Sequence, residues 1–183
     1  MAYFGLRYPV IAKNVKGVYS DGFRCAKAVS TEVTPNYVEG SQYGDDTQCE
    51  YEKAFSNASV KLGTTSLPTE AASVMFGHTV DPTKKTVSYK ATDEPNNVGV
   101  GFVVDEVVEG VVTYVATIIK CVKFGEPTDS FATKADSITF SNPTVEGVAI
   151  ADTDGQWKTV TPYTTAEEAL AAINTAFNIT PEG

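Results

Sequence analysis

The sequence predicts a mainly β protein, a β-sandwich or half-barrel with one or two short α-helices. Val, Ile, Thr and the aromatic residues account for 72 of its 183 residues, and these residue types favour strands. Only 4 residues are Leu, the usual apolar residue of helix faces. Several segments also alternate between apolar and polar residues, which is the period of a half-buried strand. These observations exclude an all-helical protein, and the length suits a single domain over 1–183.

Alternation predicts two strands early in the chain and an irregular segment between them. Residues 23–33 alternate as a half-buried strand, which Pro35 is expected to end. Residues 49–55 alternate again, and 58–62 continue the same inward face after a bulge. Residues 36–48 have no sustained period, so we expect a loop or a long hairpin tip. A loop of that length is usually functional or mobile.

The most apolar segment predicts a strand that is covered on both faces. Residues 111–124 form a hairpin with the strand before them. Val115 and Ile119 fall on one face of this strand, and Ile118 and Val122 fall on the other. Water on either face would not suit such a pattern, so we expect a helix or another subunit on one side.

Two short helices and further strands complete the prediction. Residues 67–77 read as a helix that ends at Gly77, where glycine adopts the left-handed conformation easily. The best helix covers 165–177, and Thr165 with Glu168 makes a capping box at its start. Shorter strands are expected at 87–90, 138–140 and 145–150.

The charges are separated along the chain. Net charge is −9, and residues 28–52 carry six acidic groups and no Lys or Arg, whereas 1–27 carry five basic groups and one acidic group. Such a protein should not bind DNA by neutralising its phosphates. The acidic block is either an ordinary solvated surface or a functional acidic face.

The sequence predicts no catalytic residue, no cofactor and no metal ion. His78 is the only histidine, and it follows a helix end, where an imidazole more often packs or caps than catalyses. The pair Gly99 and Gly101 lacks the third glycine of a dinucleotide-binding motif, so we expect it to clear one face of a strand for a close neighbour. We therefore expect a structural or binding protein and not an enzyme.

The cysteines and the N-terminal segment bear on the cellular compartment. Cys25, Cys49 and Cys121 lie far apart in sequence and show no metal-binding spacing. Because they alternate into apolar faces, we expect all three to be reduced thiols. The first residues lack the pattern of a signal peptide, and no apolar run is long enough for a membrane helix.

Six stretches, in order and over nearly the whole chain, are YFGLRYPV (3–10), AKAVSTEVTPNY (26–37), YGDD (43–46), FGEPTDS (124–130), TVEG (144–147) and DTDGQWK (152–158). Together they resemble the major tail protein family of long-tailed, non-contractile bacteriophages. No single stretch is specific, and the ordered set carries the resemblance.

The resemblance implies a tail tube protein. Six copies would form a ring, rings would stack, and the sheets of all subunits would join into one continuous β-barrel. DNA would pass through the lumen at infection without specific contacts. The implied partners are other copies of the chain, a tape measure protein and a tail terminator, with no membrane. The implied location is the virion tail, after assembly in the host cytoplasm.

Strand alternation, combined with this resemblance, predicts which residues carry the function. Glu32, Glu50 and Glu52 fall opposite the buried faces of their strands and are candidates to line the lumen. Two acidic residues between these strands are candidates for the lumen or for the contact between rings, namely Asp45 and Asp46. We expect the loop at 36–48 to connect subunits, and the candidates for contacts between rings are Tyr37, Val38 and Tyr43.

Two other classes of protein fit the same sequence. One is the tube subunit of a phage-tail-like bacteriocin or of a type VI secretion system. The other is an acidic intracellular β-sandwich that acts as a binding module.

The tip of the long hairpin is acidic in this sequence (Asp105, Glu106 and Glu109). If members of the family have a basic tip, the contacts that the tip makes would differ in this chain.

Overall fold

The computed structural model describes residues 2–45, 47–128 and 142–179 of the chain. Ten strands and two helices lie in these ranges. The elements are β1 Ala2–Val15, β2 Val18–Arg24, β3 Ala28–Gly44, β4 Thr47–Thr64, α1 Thr69–Val74, β5 Thr79–Asp81, β6 Thr86–Ser88, β7 Asn97–Val108, β8 Val111–Phe124, β9 Thr144–Ile150, β10 Lys158–Tyr163 and α2 Ala166–Ala176. The predicted mainly β class is confirmed. The strand predicted at 138–140 lies outside the described residues.

One eight-stranded antiparallel sheet organises the described part of the chain. Its order is β2-β1-β7-β8-β9-β4-β3, and β10 also pairs with β8. β8 is hydrogen-bonded to β7 on one edge, while its other edge is shared between β10 at 114–119 and β9 at 121–124. β5 and β6 form a separate hairpin. β1 and β3 also contact each other, although they are not neighbours in this order.

The central strands are covered on both faces, as their apolar sequence predicted. On one face, Val100, Phe102 and Ile119 pack with α1 and with β4 in the larger core cluster. On the other face, Val103 and Ala116 pack under α2 in a second cluster. Burial of this kind contributes roughly 1.5–3 kcal/mol for each large apolar side chain.

One detail of the apolar strand was predicted wrongly. Val122 joins the larger core cluster together with Ile119, instead of lying on the opposite face. The register between β7 and β8 shifts between Val98 and Val100, and the one extra residue of β8 at this bulge reverses the alternation beyond it.

Both helices lie within the ranges predicted from capping residues and glycine. α2 begins after Thr165, whose hydroxyl accepts a hydrogen bond from the backbone N–H of Glu168 at 3.2 Å. The Glu168 carboxylate accepts a hydrogen bond from the Thr164 hydroxyl at 2.9 Å, which fixes the first turn further. After α1, Gly77 has a φ of +75°, as expected for a glycine at a helix end. No helix in the described ranges is long and apolar enough to cross a membrane.

Residues 36–48 belong to a long β-hairpin, which is one of the two forms that the sequence allowed. β3 runs on through Pro35 to Gly44, and β4 returns from Thr47. Pro35 was expected to end the strand, but β3 lies at the end of the strand order, and edge strands tolerate proline. We call residues 36–57 of this hairpin the arm. β9 pairs with β4 only over 58–63, so the arm leaves the sheet as a two-stranded ribbon.

The strand predicted at 23–33 is two strands. β2 ends at Arg24 and β3 begins at Ala28. Cys25 lies between them and is buried, and its backbone N–H donates to the carbonyl oxygen of Pro9 at 2.9 Å. Alternation alone did not reveal this break, because apolar residues recur at 23, 25, 29 and 33 in the sequence. Val29, which the pattern placed on the inward face, is 49% exposed, so burial does not keep that period beyond the break.

Two glycines of β7 make room for α2. A Cβ atom on Gly101 would lie 2.6 Å from Cγ2 of Ile173 and 2.7 Å from the ring of Phe177. A Cβ atom on Gly99 would lie 2.4 Å from the ring of Tyr19. The glycines clear one face of the strand as predicted, and the neighbours that use the space are side chains of α2 and β2.

We expect the substitution Gly101→Ala to lower the free energy of unfolding by about 1–3 kcal/mol, because the added methyl group overpacks the contact with α2. Gly40→Ala is the matched control, since a Cβ atom there has no neighbour within 4 Å. It should change stability by less than about 1 kcal/mol. Urea unfolding of both variants measures this, and equal effects would contradict the packing role of Gly101.

Candidate functional site

The three glutamates predicted to share a function lie on one face of the β3–β4 hairpin. Glu32 is opposite Lys61, Glu52 is opposite Gly40, and Glu50 is opposite Gln42. Residues 32, 40 and 42 are separated by even numbers of residues on β3, and no residue is inserted into β3 between them, so their side chains point to the same face. Directly paired residues also share a face, which places Glu50 and Glu52 beside them. All three glutamates are exposed. We call this surface the acidic face.

One lysine offsets part of the charge on the acidic face. Nζ of Lys61 lies 2.9 Å from Oε1 of Glu146 on the neighbouring strand β9, and this contact raises the pKa of Lys61. Among the described residues, Glu50 and Glu52 have no ion-pair partner. The acidic face therefore keeps uncompensated negative charge on the arm.

The opposite face of the arm is aromatic. Tyr37 packs edge-on against Phe55 with ring centroids 6.2 Å apart, and Phe55 stacks on Trp157 at 4.9 Å. Tyr43 and Tyr51 extend this face toward the tip and are exposed. We call Tyr37, Tyr43, Tyr51 and Phe55 the aromatic face. Its inner end is anchored to the body by Trp157, and its outer end is open to solvent.

A salt bridge runs across the aromatic face. Nζ of Lys53 lies 2.7 Å from Oε1 of Glu39 and 4.8 Å from the centre of the Tyr37 ring. The bond to Lys53 lowers the pKa of Glu39. Both groups are exposed, so solvent screening leaves this pair little net effect on stability. Lys53 therefore does not neutralise the acidic face.

The residues predicted to contact another ring are divided between the two faces. Tyr37 and Tyr43 lie on the aromatic face, whereas Val38 pairs with Ala54 on the acidic face. All three are exposed, so each is accessible to a partner. That they contact a neighbouring ring stays a prediction.

The two aspartates lie at the end of the arm. Asp45 is exposed and has a φ of +48°, which marks it as a turn residue. Asp46 lies outside the described residues. The choice between lumen and ring contact for this pair stays open.

Sequence reasoning missed a pocket at the junction of β1, β2 and β3. It encloses about 580 Å³. Arg24 and Lys27 are both exposed there, and neither forms an ion pair with any residue in the described ranges. We call it the cationic pocket, and the side chains of its walls include Leu6, Pro9 and Ala26. The basic block over 1–27 was the available signal, since Arg24 and Lys27 are only three residues apart, but the fold supplies the walls that β1 contributes.

His78 is packed inside the protein among polar and aromatic side chains. It is buried, with Nδ1 2.8 Å from Oδ2 of Asp93 and Nε2 2.9 Å from Oε1 of Glu126, although the second contact lacks hydrogen-bond geometry. Its ring lies 4.3 Å from that of Tyr89. The bond to His78 is the main cause of the lowered pKa of Asp93. In the ranges that the structure describes, no group of three or more His, Cys, Asp or Glu residues could hold a metal ion.

The cysteines differ in exposure. Cys25 and Cys121 are buried free thiols, and burial raises the pKa of Cys25 to about 12 and also raises that of Cys121. Cys49 is exposed, so the prediction that it lies in an apolar face was wrong. It sits at a bulge where the register shifts between Gln42 and Tyr43, on an arm with no core beneath it.

No protein-family model matches this chain, and no curated protein matches it. The functional assignment therefore depends on the geometry of the arm and on the resemblance noted in the sequence.

We expect one cysteine to react rapidly with a thiol reagent in the native protein. Cys49 is exposed, whereas Cys25 and Cys121 are protected by burial and by raised pKa values. Timed labelling followed by peptide mass spectrometry would identify the reactive site. Rapid labelling of Cys25 would contradict the described packing.

Proposed function

We propose that this protein is the tube subunit of a long-tailed, non-contractile phage tail, in which six copies form a ring and rings stack around a lumen that conducts DNA. The observation that carries the proposal is the acidic face. Glu32, Glu50 and Glu52 share one exposed surface of a hairpin whose other surface is aromatic. A ribbon with these two sides is suited to have water and DNA on one side and protein on the other.

Joining of sheets between subunits is the second part of the proposal. β2 and β3 end the strand order, and β3 offers an edge along 28–44. A long edge strand is a template for pairing with another chain. We propose that each subunit is a half-barrel and that pairing of such edges closes the ring into a continuous barrel.

Repulsion is the proposed mechanism of DNA passage. Sixfold symmetry turns each glutamate of the acidic face into a ring of six like charges. Walls of low dielectric concentrate the field of such rings inside a narrow channel. DNA phosphates are then kept from the wall, and no base contact is needed. The proposed partners are further copies of the chain, the tape measure protein and the tail terminator, and the proposed location is the virion tail after assembly in the host cytoplasm.

Electron micrographs of the purified protein test this proposal against its alternatives. Rings or tubes support a tube subunit, and the neighbouring genes then separate a phage tail from a bacteriocin or a type VI secretion tube. A stable monomer at all concentrations favours the acidic binding module and would rule out the proposed function.

Reversing the charge of the acidic face should slow DNA ejection. In phage that carry Glu50→Lys with Glu52→Lys, we expect tubes to form but DNA phosphates to bind the wall. The matched control is Glu50→Gln with Glu52→Gln, which removes charge without creating a binding site and should have a smaller effect. Time-resolved ejection assays compare the three phages. Normal ejection by the lysine variant would refute the lumen assignment.

Shortening the arm should leave a folded subunit that cannot form tubes. Tyr37 and Phe55 are directly paired, so replacing residues 38–54 by Asn-Gly closes the hairpin with a two-residue turn. The body keeps its core, because none of the removed residues belongs to either buried cluster. Circular dichroism and electron microscopy check fold and assembly. Tubes of normal appearance would show that the arm is not needed as a connector.

A further inference from the structure

We propose that the tip of the β7–β8 hairpin of one copy docks in the cationic pocket of a second copy. The proposal rests on the proposed function for the presence of neighbouring copies and adds one of the contacts between them.

The tip combines an apolar surface with a carboxylate at its apex. Val108, Val111 and Val112 are 45%, 63% and 41% exposed. Glu109 stands at the turn between these strands, is exposed, and has no ion-pair partner in the described part of the chain. The last described pair between β1 and β7 joins Ala2 to Val107, two residues before Glu109. Exposed valines clustered at the end of a hairpin gain free energy when another surface covers them.

The turn itself does not call for glutamate. Glu109 has a φ of +50° and Gly110 a φ of +82°, which is the pattern of a type I′ turn between Val108 and Val111. Asn, Asp and Gly are favoured at the first position of such a turn, and other residues adopt this conformation at some cost. The carboxylate is therefore available for a contact that the hairpin does not need for its own folding.

The cationic pocket has the complementary chemistry. Its Arg24 and Lys27 side chains lack ion-pair partners in the described ranges, and Leu6 and Pro9 contribute apolar walls. The guanidinium of Arg24 lies over the Tyr8 ring, 4.5 Å from its centre, which holds it at the pocket. The volume of about 580 Å³ is large enough for the end of a hairpin. The Glu109 carboxylate and the valines of the tip are therefore complementary to the two cations and the apolar walls of the pocket.

One chain cannot make this contact with itself. Arg24 pairs with Val10, and Val10 pairs with Gly101 of β7. At about 3.3 Å per residue, Glu109 lies about 26 Å beyond the level of Arg24, and about 16 Å beyond that of Leu6, which pairs with Val104. β7 and β8 stay paired out to Val108 and Val111, so the tip cannot fold back. The partner must be a second copy.

Such a contact joins two different surfaces of identical subunits. Contacts of this kind are heterologous, and they build closed rings or open filaments instead of two-fold dimers. This property agrees with repeated assembly into a tube.

A charge-swap experiment tests the proposal. The variants are Glu109→Lys, the pair Arg24→Glu with Lys27→Glu, and all three changes in one chain. The tip variant and the pocket variant each bring like charges together at the proposed contact. We expect each of them to raise the protein concentration needed for assembly roughly tenfold. In the combined variant every contact again joins opposite charges, and assembly should return close to that of the wild type. Sedimentation velocity measures assembly, and thermal unfolding confirms that each variant is folded.

Controls and the competing outcome make the test specific. Glu94→Lys, and Lys84→Glu with Lys85→Glu, change the charge equally at exposed sites away from the tip and pocket, and they should assemble as the wild type does. Normal assembly of Glu109→Lys, or no rescue in the combined variant, would overturn the tip contact alone. Rescue of the pocket variant by Glu50→Lys with Glu52→Lys would instead assign the pocket to the arm and would also overturn it. If the wild-type protein does not assemble at all, the proposed function itself is contradicted.

Discussion

The pairing of one strand, β8, with three others determines the arrangement of the rest of the structure. One edge of β8 is taken by β7, and the other is divided between β10 and β9. Because β9 then pairs with β4 only over 58–63, β3 is the sole strand partner of the remaining half of β4 among the described residues. The arm follows from this division. A two-stranded ribbon is only marginally stable alone in water, so an arm of this length has most to gain from assembly.

Burial would change the free energy of the two faces of the arm in opposite directions. Burying Glu50 or Glu52 without a partner would carry a large desolvation cost, so the acidic face is most stable in contact with water. Tyr43 and Tyr51 on the other face would gain from being covered, since aromatic side chains contribute most to protein contacts. A wall around a lumen satisfies both demands at once, which an isolated monomer does not.

The sequence predicted those parts of the fold that depend on local signals or on continuous burial. α2 was predicted from its cap at Thr165, and the double covering of β8 from its apolar faces. Residues 36–48 had no sustained period, because both faces of the arm are exposed. The bulge in β4 opposite Gln42 and Tyr43 explains why Cys49 was misplaced. The cationic pocket depends on strands brought together by tertiary pairing, so no local pattern could reveal it.

The central claim, that the acidic face lines a lumen, is tested most directly by electron cryomicroscopy of the assembled protein. A reconstruction that resolves the strands would locate Glu32, Glu50 and Glu52 relative to the tube axis. The account predicts a hollow tube with sixfold rings in which these three side chains point inward and the aromatic face contacts a neighbouring subunit. A tube in which they lie on the outer surface, or are buried between subunits, would contradict it.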